Sequence, residues 1–423
     1  MRAVPRPPRL HYGWVVAGVT LALLAVAAGA RSAPTMLIRP LEGEFGWTTG
    51  TISLAIGINI ALFGLGGPFG AGLMDRFGVR RLAAFALALL GAAWAMTPLV
   101  HAPWQLVLVW GVGVGGVSGL LSAVFGAVIA NRWFEARRGL VSGIFGAANA
   151  TGQLIFLPIF GYLVTGPGWR ACALAVAAAC VLLLPAVLLL RDRPADVGLS
   201  RVGARGPDPL PPPMGNPFAR AFQVLGEAVR VPVFWIAALS FMACGASTNG
   251  LIGTHFVPIC GDHGIPEVRA AGLLMLIGVF DIAGTTLSGW LTDRMNPRIL
   301  LAAVYGLRAV ALSFLPTAFG IETWGLPLFA VIYGLDWIAT LPPTLKLVNE
   351  EFGTQKGGVV FGWLFAIHQV GSGLTAFGAG ETRTLVGDYG PALMVAVAMC
   401  AAASIMFLVL RTGSRQSLAE RTA

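Results

Sequence analysis

Apolar stretches long enough to cross a lipid bilayer recur along almost the whole of this 423-residue chain, and that recurrence decides most of what it can become. A hydrocarbon core about 30 Å thick takes roughly 20 apolar residues at helical rise. Stretches of that length fall at about 13–38, 49–74, 82–100, 104–130, 138–165, 169–190, 231–259, 268–292, 299–318, 324–347, 357–380 and 390–410. Hydrocarbon offers the backbone no hydrogen-bond partner, so each stretch must be a helix or a strand of a closed barrel. Barrel strands alternate apolar and polar residues over about ten positions. These runs are longer and continuous, which selects twelve helices. With 56% hydrophobic and 11% charged residues, against about 25% charged in a soluble domain, nothing is left over to bury a soluble core. The first stretch follows MRAVPRPPRL in the position of a secretory leader, but it is too long and lacks a small-residue cleavage site, so it is read as retained.

The formal charge is +9, and the placement of the cations matters more than their sum. With the N-terminus inside, most of the 28 lysines and arginines fall in cytoplasmic segments, among them Arg76, Arg80, Arg81, Arg132, Arg137, Arg138, Arg294 and Arg298. This positive-inside bias predicts both termini in the cytoplasm. It makes a nucleic-acid reading of the basic balance unnecessary. Lysine occurs only at Lys346 and Lys356, an arginine preference that goes with a bacterial source and hence an inner membrane. Cys172, Cys180, Cys244, Cys260 and Cys400 show neither paired nor metal-like spacing, so packing is their expected role. No metal or cofactor is expected.

The chain also repeats itself. AGLMDRFGVRRL at Ala71–Leu82 aligns with GWLTDRMNPRIL at Gly289–Leu300, with five of twelve positions identical at an offset of 218. The same offset carries Asn131 onto Asn349, Phe134 onto Phe352 and Gly139 onto Gly357. Two separate loops obeying one offset of half the chain length imply two six-helix halves in parallel orientation. The expected division is 1–191, a Pro- and Arg-rich cytoplasmic linker at 192–230, and 231–423.

Asp75-Arg76-Phe77-Gly78-Val79-Arg80-Arg81 resembles the loop signature between the second and third helices of the major facilitator superfamily, and Asp293-Arg294 through Arg298 stands where that fold repeats it. Ala71 and Asn296 replace two of the usual glycines. Tyr12-Gly13-Trp14, Asn131-Arg132-Trp133-Phe134 and Arg137-Arg138-Gly139 resemble bacterial monocarboxylate-transporter-like members. The resemblance covers the whole chain. It implies a monomeric transporter working by alternating access, with a central cavity lined by helices 1, 2, 4, 5, 7, 8, 10 and 11. The loop signatures at Asp75, Arg76, Arg80, Asp293, Arg294 and Arg298 are then gates. Asp75 is positioned to cap a neighbouring helix and pair with a guanidinium; on the other reading, the arginines only hold the loop inside.

Ionisable groups within spans are costly and therefore functional candidates. Arg31, Asp281, Arg308 and Asp336 form the list, and their formal charges cancel. Two readings stand for Arg31: a planar fork that grips a substrate carboxylate, or a side chain snorkelling to the outer headgroups. Helix 9 is peripheral in the implied fold, so Arg308 is expected to pair with Asp281 or Asp336. The other aspartate becomes the proton carrier, since a carboxyl buried without a fixed cation exchanges its proton near neutral pH. Monocarboxylate transporters place an arginine one turn after the helix-8 aspartate; here Thr285 follows Asp281, so Arg31 or Arg308 must supply the cation. Asn59, Asn149, Gln153, Asn249, His368 and Gln369 are expected around a small polar-headed ligand, each with interhelical hydrogen bonding as the plainer role.

Gly111-Val-Gly113-Val-Gly115-Gly116 contains GxGxxG without a preceding strand, so close helix packing explains it, as it does Gly139/Gly143. Pro342-Pro343 should kink helix 10. No catalytic constellation is present, so the chain is not read as an enzyme. The leading expectation is a secondary transporter that moves a small organic anion, a monocarboxylate, with a proton. The alternative is an exporter or exchanger of hydrophobic or drug-like compounds, weakened because Phe156 and Leu157 interrupt the antiporter pattern that Gly143, Gly152 and Pro158 fit.

Overall fold

The computed structural model describes residues 11–204, 216–321 and 323–409, without the side chains at 71, 123, 147, 149–155, 217, 354 and 355. Its long helices are α1 (Tyr12–Phe45), α2 (Thr49–Gly70), α3 (Val79–Leu99), α4 (Pro103–Trp133), α5 (Arg138–Thr165), α6 (Trp169–Val187), α7 (Pro232–Asp262), α8 (Glu267–Thr292), α9 (Pro297–Phe319), α10 (Gly325–Gly353), α11 (Lys356–Val386) and α12 (Gly390–Val409). By length and composition 11 of them can cross a membrane, and α5 carries a shorter apolar part at Phe156–Thr165. Every expected stretch is a helix.

The ends differ from expectation where helix chemistry allows it. α1 continues past 38 because Pro34 begins a new helical segment after Ala33, and a proline at that position forfeits no hydrogen bond. Gly46, at φ +65°, then stops it with a left-handed cap. Arg31 therefore sits about 14 residues, or roughly 21 Å, short of the end of its helix. Its guanidinium lies 4.0 Å over the ring of Phe63 on α2.

Contacts between equivalent positions reveal the symmetry of the two halves. Thr35 Oγ1 donates to the carbonyl of Gly253, 218 residues away, across 3.1 Å. Residues related by the repeat can touch only near the axis that relates them. On either side of it, α2 meets α11 and α5 meets α8. A Cβ on Gly57 would lie 2.5 Å from the Gly373 carbonyl, and one on Gly161 3.6 Å from Val268 Cα. Glycine is required at Gly57 because the two backbones touch there.

Three of the four glycines in the Gly111–Gly116 run of α4 pack as expected: a Cβ on Gly111 would lie 3.0 Å from Ile58 and one on Gly115 2.5 Å from Asn59, both on α2, and one on Gly113 3.3 Å from Ala93. A Cβ on Gly116 would meet none of the described residues. Gly139 and Gly143 do not pack closely either. Among the described residues nothing lies within 4 Å of a Cβ at either position, so close packing is not their role there.

The segment between the halves is more than a tether. Val202 exchanges backbone hydrogen bonds with Trp133 and Ala136. A helix at Pro217–Ala228 presses Phe218 onto Phe69 of α2 and Phe222 onto Trp363 of α11, with ring centroids 5.0 and 5.3 Å apart. Trp363 Nε1 donates to the Ala221 carbonyl at 3.0 Å, and Glu227 pairs with Lys356.

Candidate functional site: a small cavity beside a broken helix

Pro342 and Pro343 have no amide hydrogen, so the carbonyls one turn earlier cannot be paired within the helix. α10 accordingly loses helical geometry over 337–340, just before the prolines. The expected kink is a break. In a bilayer each freed backbone group needs another partner, and three side chains supply them. Asp281 Oδ1 accepts from the Ile338 amide at 3.0 Å. Ser288 Oγ donates to the Ala339 carbonyl at 2.5 Å. Arg308 Nη2 donates to the carbonyls of Asp336 and Trp337, at 2.5 and 3.2 Å.

Arg308 also settles which aspartate it holds. Its Nε donates to Asp336 Oδ2 at 2.5 Å and its Nη1 to Cys244 Sγ at 2.7 Å, with both charged side chains buried. Asp336 Oδ1 is buried without a hydrogen-bond partner among the described residues. Asp281, one helix away, instead accepts hydrogen bonds from Thr285 Oγ1 at 2.9 Å and from Ile338.

Against the break lies a cavity of about 100 Å³. Arg31 of α1 reaches it with its guanidinium 4.0 Å above the Phe63 ring. α7 contributes Cys244, Thr248 and Asn249, the last two from a π-helical turn at Ala246–Ile252. That turn presses on α11 through Gly250, where a Cβ would sit 2.7 Å from the Ser372 carbonyl. α11 contributes Phe365, His368 and Gln369, and α10 contributes Trp337, Ile338 and Thr340. Asn249 Nδ2 donates to Gln369 Oε1 at 3.1 Å, and His368 Nδ1 lies 2.7 Å from the same oxygen. Of the polar residues expected around a ligand, Arg31, Asn249, His368 and Gln369 meet here. Asn59 does not: its Nδ2 donates to the Trp110 carbonyl at 2.7 Å, joining α2 to α4. The side chains of Asn149 and Gln153 lie outside the described residues.

The first loop signature pairs within its own half. Asp75 binds Arg132 at the end of α4, 2.5 Å away. The cap expected from Asp75 comes from Asp192, whose carboxylate accepts from the Val79 amide at the start of α3. Arg76, Arg80, Arg81 and Arg193 complete a polar cavity of about 530 Å³. In the second loop Asp293 follows α8 in an exposed position, Arg294 lies 4.1 Å over Trp290, and the Arg298 amide donates to Asn296 Oδ1 at 3.0 Å. Among the described residues, the ion pair joining the halves lies at the opposite end and is shared with an arginine of the second half. There Asp262 of α7 binds Arg39 of α1 at 3.2 Å and Arg383 of α11 at 2.7 Å. Sequence reasoning missed that cluster and Asp192, because each of these residues ends or follows a span where charge is ordinary.

The profile of the Major Facilitator Superfamily matches residues 18–376. The chain belongs to that superfamily. It is 26% identical to Monocarboxylate transporter 11 of Mus musculus over 96% of this chain and 88% of the relative. It is 24% identical to the oxalate:formate antiporter of Oxalobacter formigenes over 89% and 86%. In structure, this superfamily member resembles a bacterial homolog of the human lysosomal transporter Spinster in an inward-facing, unoccupied conformation. That match has TM-score 0.71 and 18% identity, over 95% of this chain and 96% of the other. The chain is a transporter of small molecules rather than an enzyme.

Proposed function

We propose that this superfamily member carries a small organic anion, a monocarboxylate, across a bacterial inner membrane together with a proton. The observation that carries the reading is the Arg31 guanidinium in a cavity of about 100 Å³. A fixed cation deep in a bilayer recognises an anion, and a guanidinium matches the two oxygens of a carboxylate. Drug-sized ligands occupy about 300–1,000 Å³, so the cavity favours the small anion over the export of larger compounds. Asn249, His368 and Gln369 would bind the rest of the ligand; Asn149 and Gln153 remain assigned from the sequence alone.

Asp281 is the proton carrier in this reading, because Arg308 is occupied with Asp336. The signature-loop end and both termini face the cytoplasm, as the arginine distribution requires. The halves 1–191 and 231–423 rock about the cavity as a monomer, joined by 192–230, and the loops at Asp75 and Asp293 gate its inner mouth.

The test uses proteoliposomes holding a pH-sensitive dye, challenged with lactate, pyruvate, oxalate and larger carboxylates. Weak acids cross lipid unaided, so each trace is compared with an Asp281→Asn, Asp336→Asn double variant. Acidification above the variant for a small monocarboxylate supports the reading; identical traces across the panel overturn it.

A further inference from the structure

We propose that Asp281 acts on the cavity through the Ile338 amide, which makes the break in α10 the hinge by which proton binding reshapes the ligand site. The inference rests on Asp281 as the proton carrier of the proposed function and names how its proton is felt.

The geometry is specific to this place. α8 and α10 cross with their backbones in contact: a Cβ on Gly334 would lie 2.6 Å from the Ile277 carbonyl, and one on Gly284 would overlap Leu335. Between those glycine contacts, Asp281 reaches the amide of Ile338, itself a cavity-lining residue between Trp337 and Thr340. The same carboxylate oxygen also takes the Thr285 hydroxyl. The charged or titratable groups acting on Asp281 are Arg308 of α9, Cys244 of α7 and Asp336 of α10, and none from α5 or α11 is among the strongest. Arg308 and Ser288 hold the carbonyls of the break whatever the charge on Asp281. The amide of Ile338 is different, because it rests on the group that gains and loses the proton.

A charged acceptor makes a hydrogen bond roughly twice as strong as a neutral one. Neutralising Asp281 therefore loosens residues 337–340 while the carbonyl side stays anchored. The break then hinges about Arg308 and Ser288, carrying Trp337 and Ile338 relative to Arg31. Ligand held by Arg31 and proton held by Asp281 would thus meet through one short stretch of backbone.

Hydrogen exchange of the purified full-length protein in nanodiscs, with no ligand present, tests this. The readout is the Ile338 amide at pH 7.5 and 5.5, corrected for intrinsic exchange. The expected result is roughly five-fold faster exchange at the lower pH, from the weakening of a charge-assisted bond. Asp281→Asn should remove the difference, and Thr285→Val should keep it. Equal protection at both pH values in the unaltered protein, or a pH difference that survives in Asp281→Asn, overturns the hinge. The unaltered protein alone decides the first point, so a poorly folding variant does not block the test. No substrate is involved, so this outcome is independent of whether the carboxylate assay succeeds.

Discussion

The guanidinium of Arg308 holds Asp336 twice, by its side-chain carboxylate and by its backbone carbonyl, both at 2.5 Å. One buried cation thereby neutralises an acid and closes the helix break that carries it. Removing one partner of a buried pair costs about 3–5 kcal/mol, and here it also frees the Trp337 carbonyl. Arg308→Met should lower the unfolding temperature in detergent more strongly than Asp336→Asn, which keeps a hydrogen-bond acceptor. Unchanged melting in Arg308→Met would remove the pair from the fold's essential contacts.

Arg31→Lys retains the charge in the cavity and loses the planar fork. The expected effect on transport is about a ten-fold loss of apparent affinity, the value of one charge-assisted hydrogen bond, with folding unaffected. Uptake with unchanged affinity would discard the carboxylate grip.

Asp262 joins α1, α7 and α11 at the end opposite the signature loops. Each ion pair is partly exposed, and such pairs contribute about 0–1 kcal/mol. Asp262→Asn should therefore leave melting nearly unchanged while shifting the balance between the two access states several-fold. Labelling of a cysteine placed at Thr384, whose hydroxyl oxygen accepts from the Gly50 amide across the same closure, should then accelerate. Slower or equal labelling would mean that the cluster does not hold that end shut.

Gly57→Ala should destabilise the protein, because its Cβ would meet the Gly373 backbone at 2.5 Å. Gly143→Ala, with no described residue within 4 Å of its Cβ, should be silent. A detergent melt of both variants separates backbone contact from glycine content.

Lys356 draws the Glu227 carboxyl below its ordinary value through a side-chain hydrogen bond. A carboxylate depressed in the folded state stabilises above its unfolded pKa, and that contribution fades only as pH falls through the depressed folded value. Docking of the Pro217–Ala228 helix should thus be constant between about pH 5 and pH 8. A Glu227→Gln variant that alters the pH profile of transport within that window would show otherwise.

Much of the architecture was legible in the residues because hydrocarbon imposes it. Apolar length predicted each helix, and the 218-residue offset predicted the equivalence that Thr35 and Gly253 display in contact. Pro342-Pro343 marked the weak point of α10, though nothing local indicated that Asp281, Ser288 and Arg308 would repair it. Asn59 shows the limit: its type and depth match those of Asn249, yet it faces Trp110.

Taken alone, the sequence determined how many helices cross, where the chain repeats and which side chains would be costly in lipid, since each follows from composition along a single segment. Tertiary structure decided which aspartate Arg308 holds, which amide Asp281 caps and which polar groups share a cavity with Arg31. Those outcomes depend on helix rotation and crossing height. Both are set by contacts such as Gly334 on Ile277 and Gly57 on Gly373, between residues far apart in the chain.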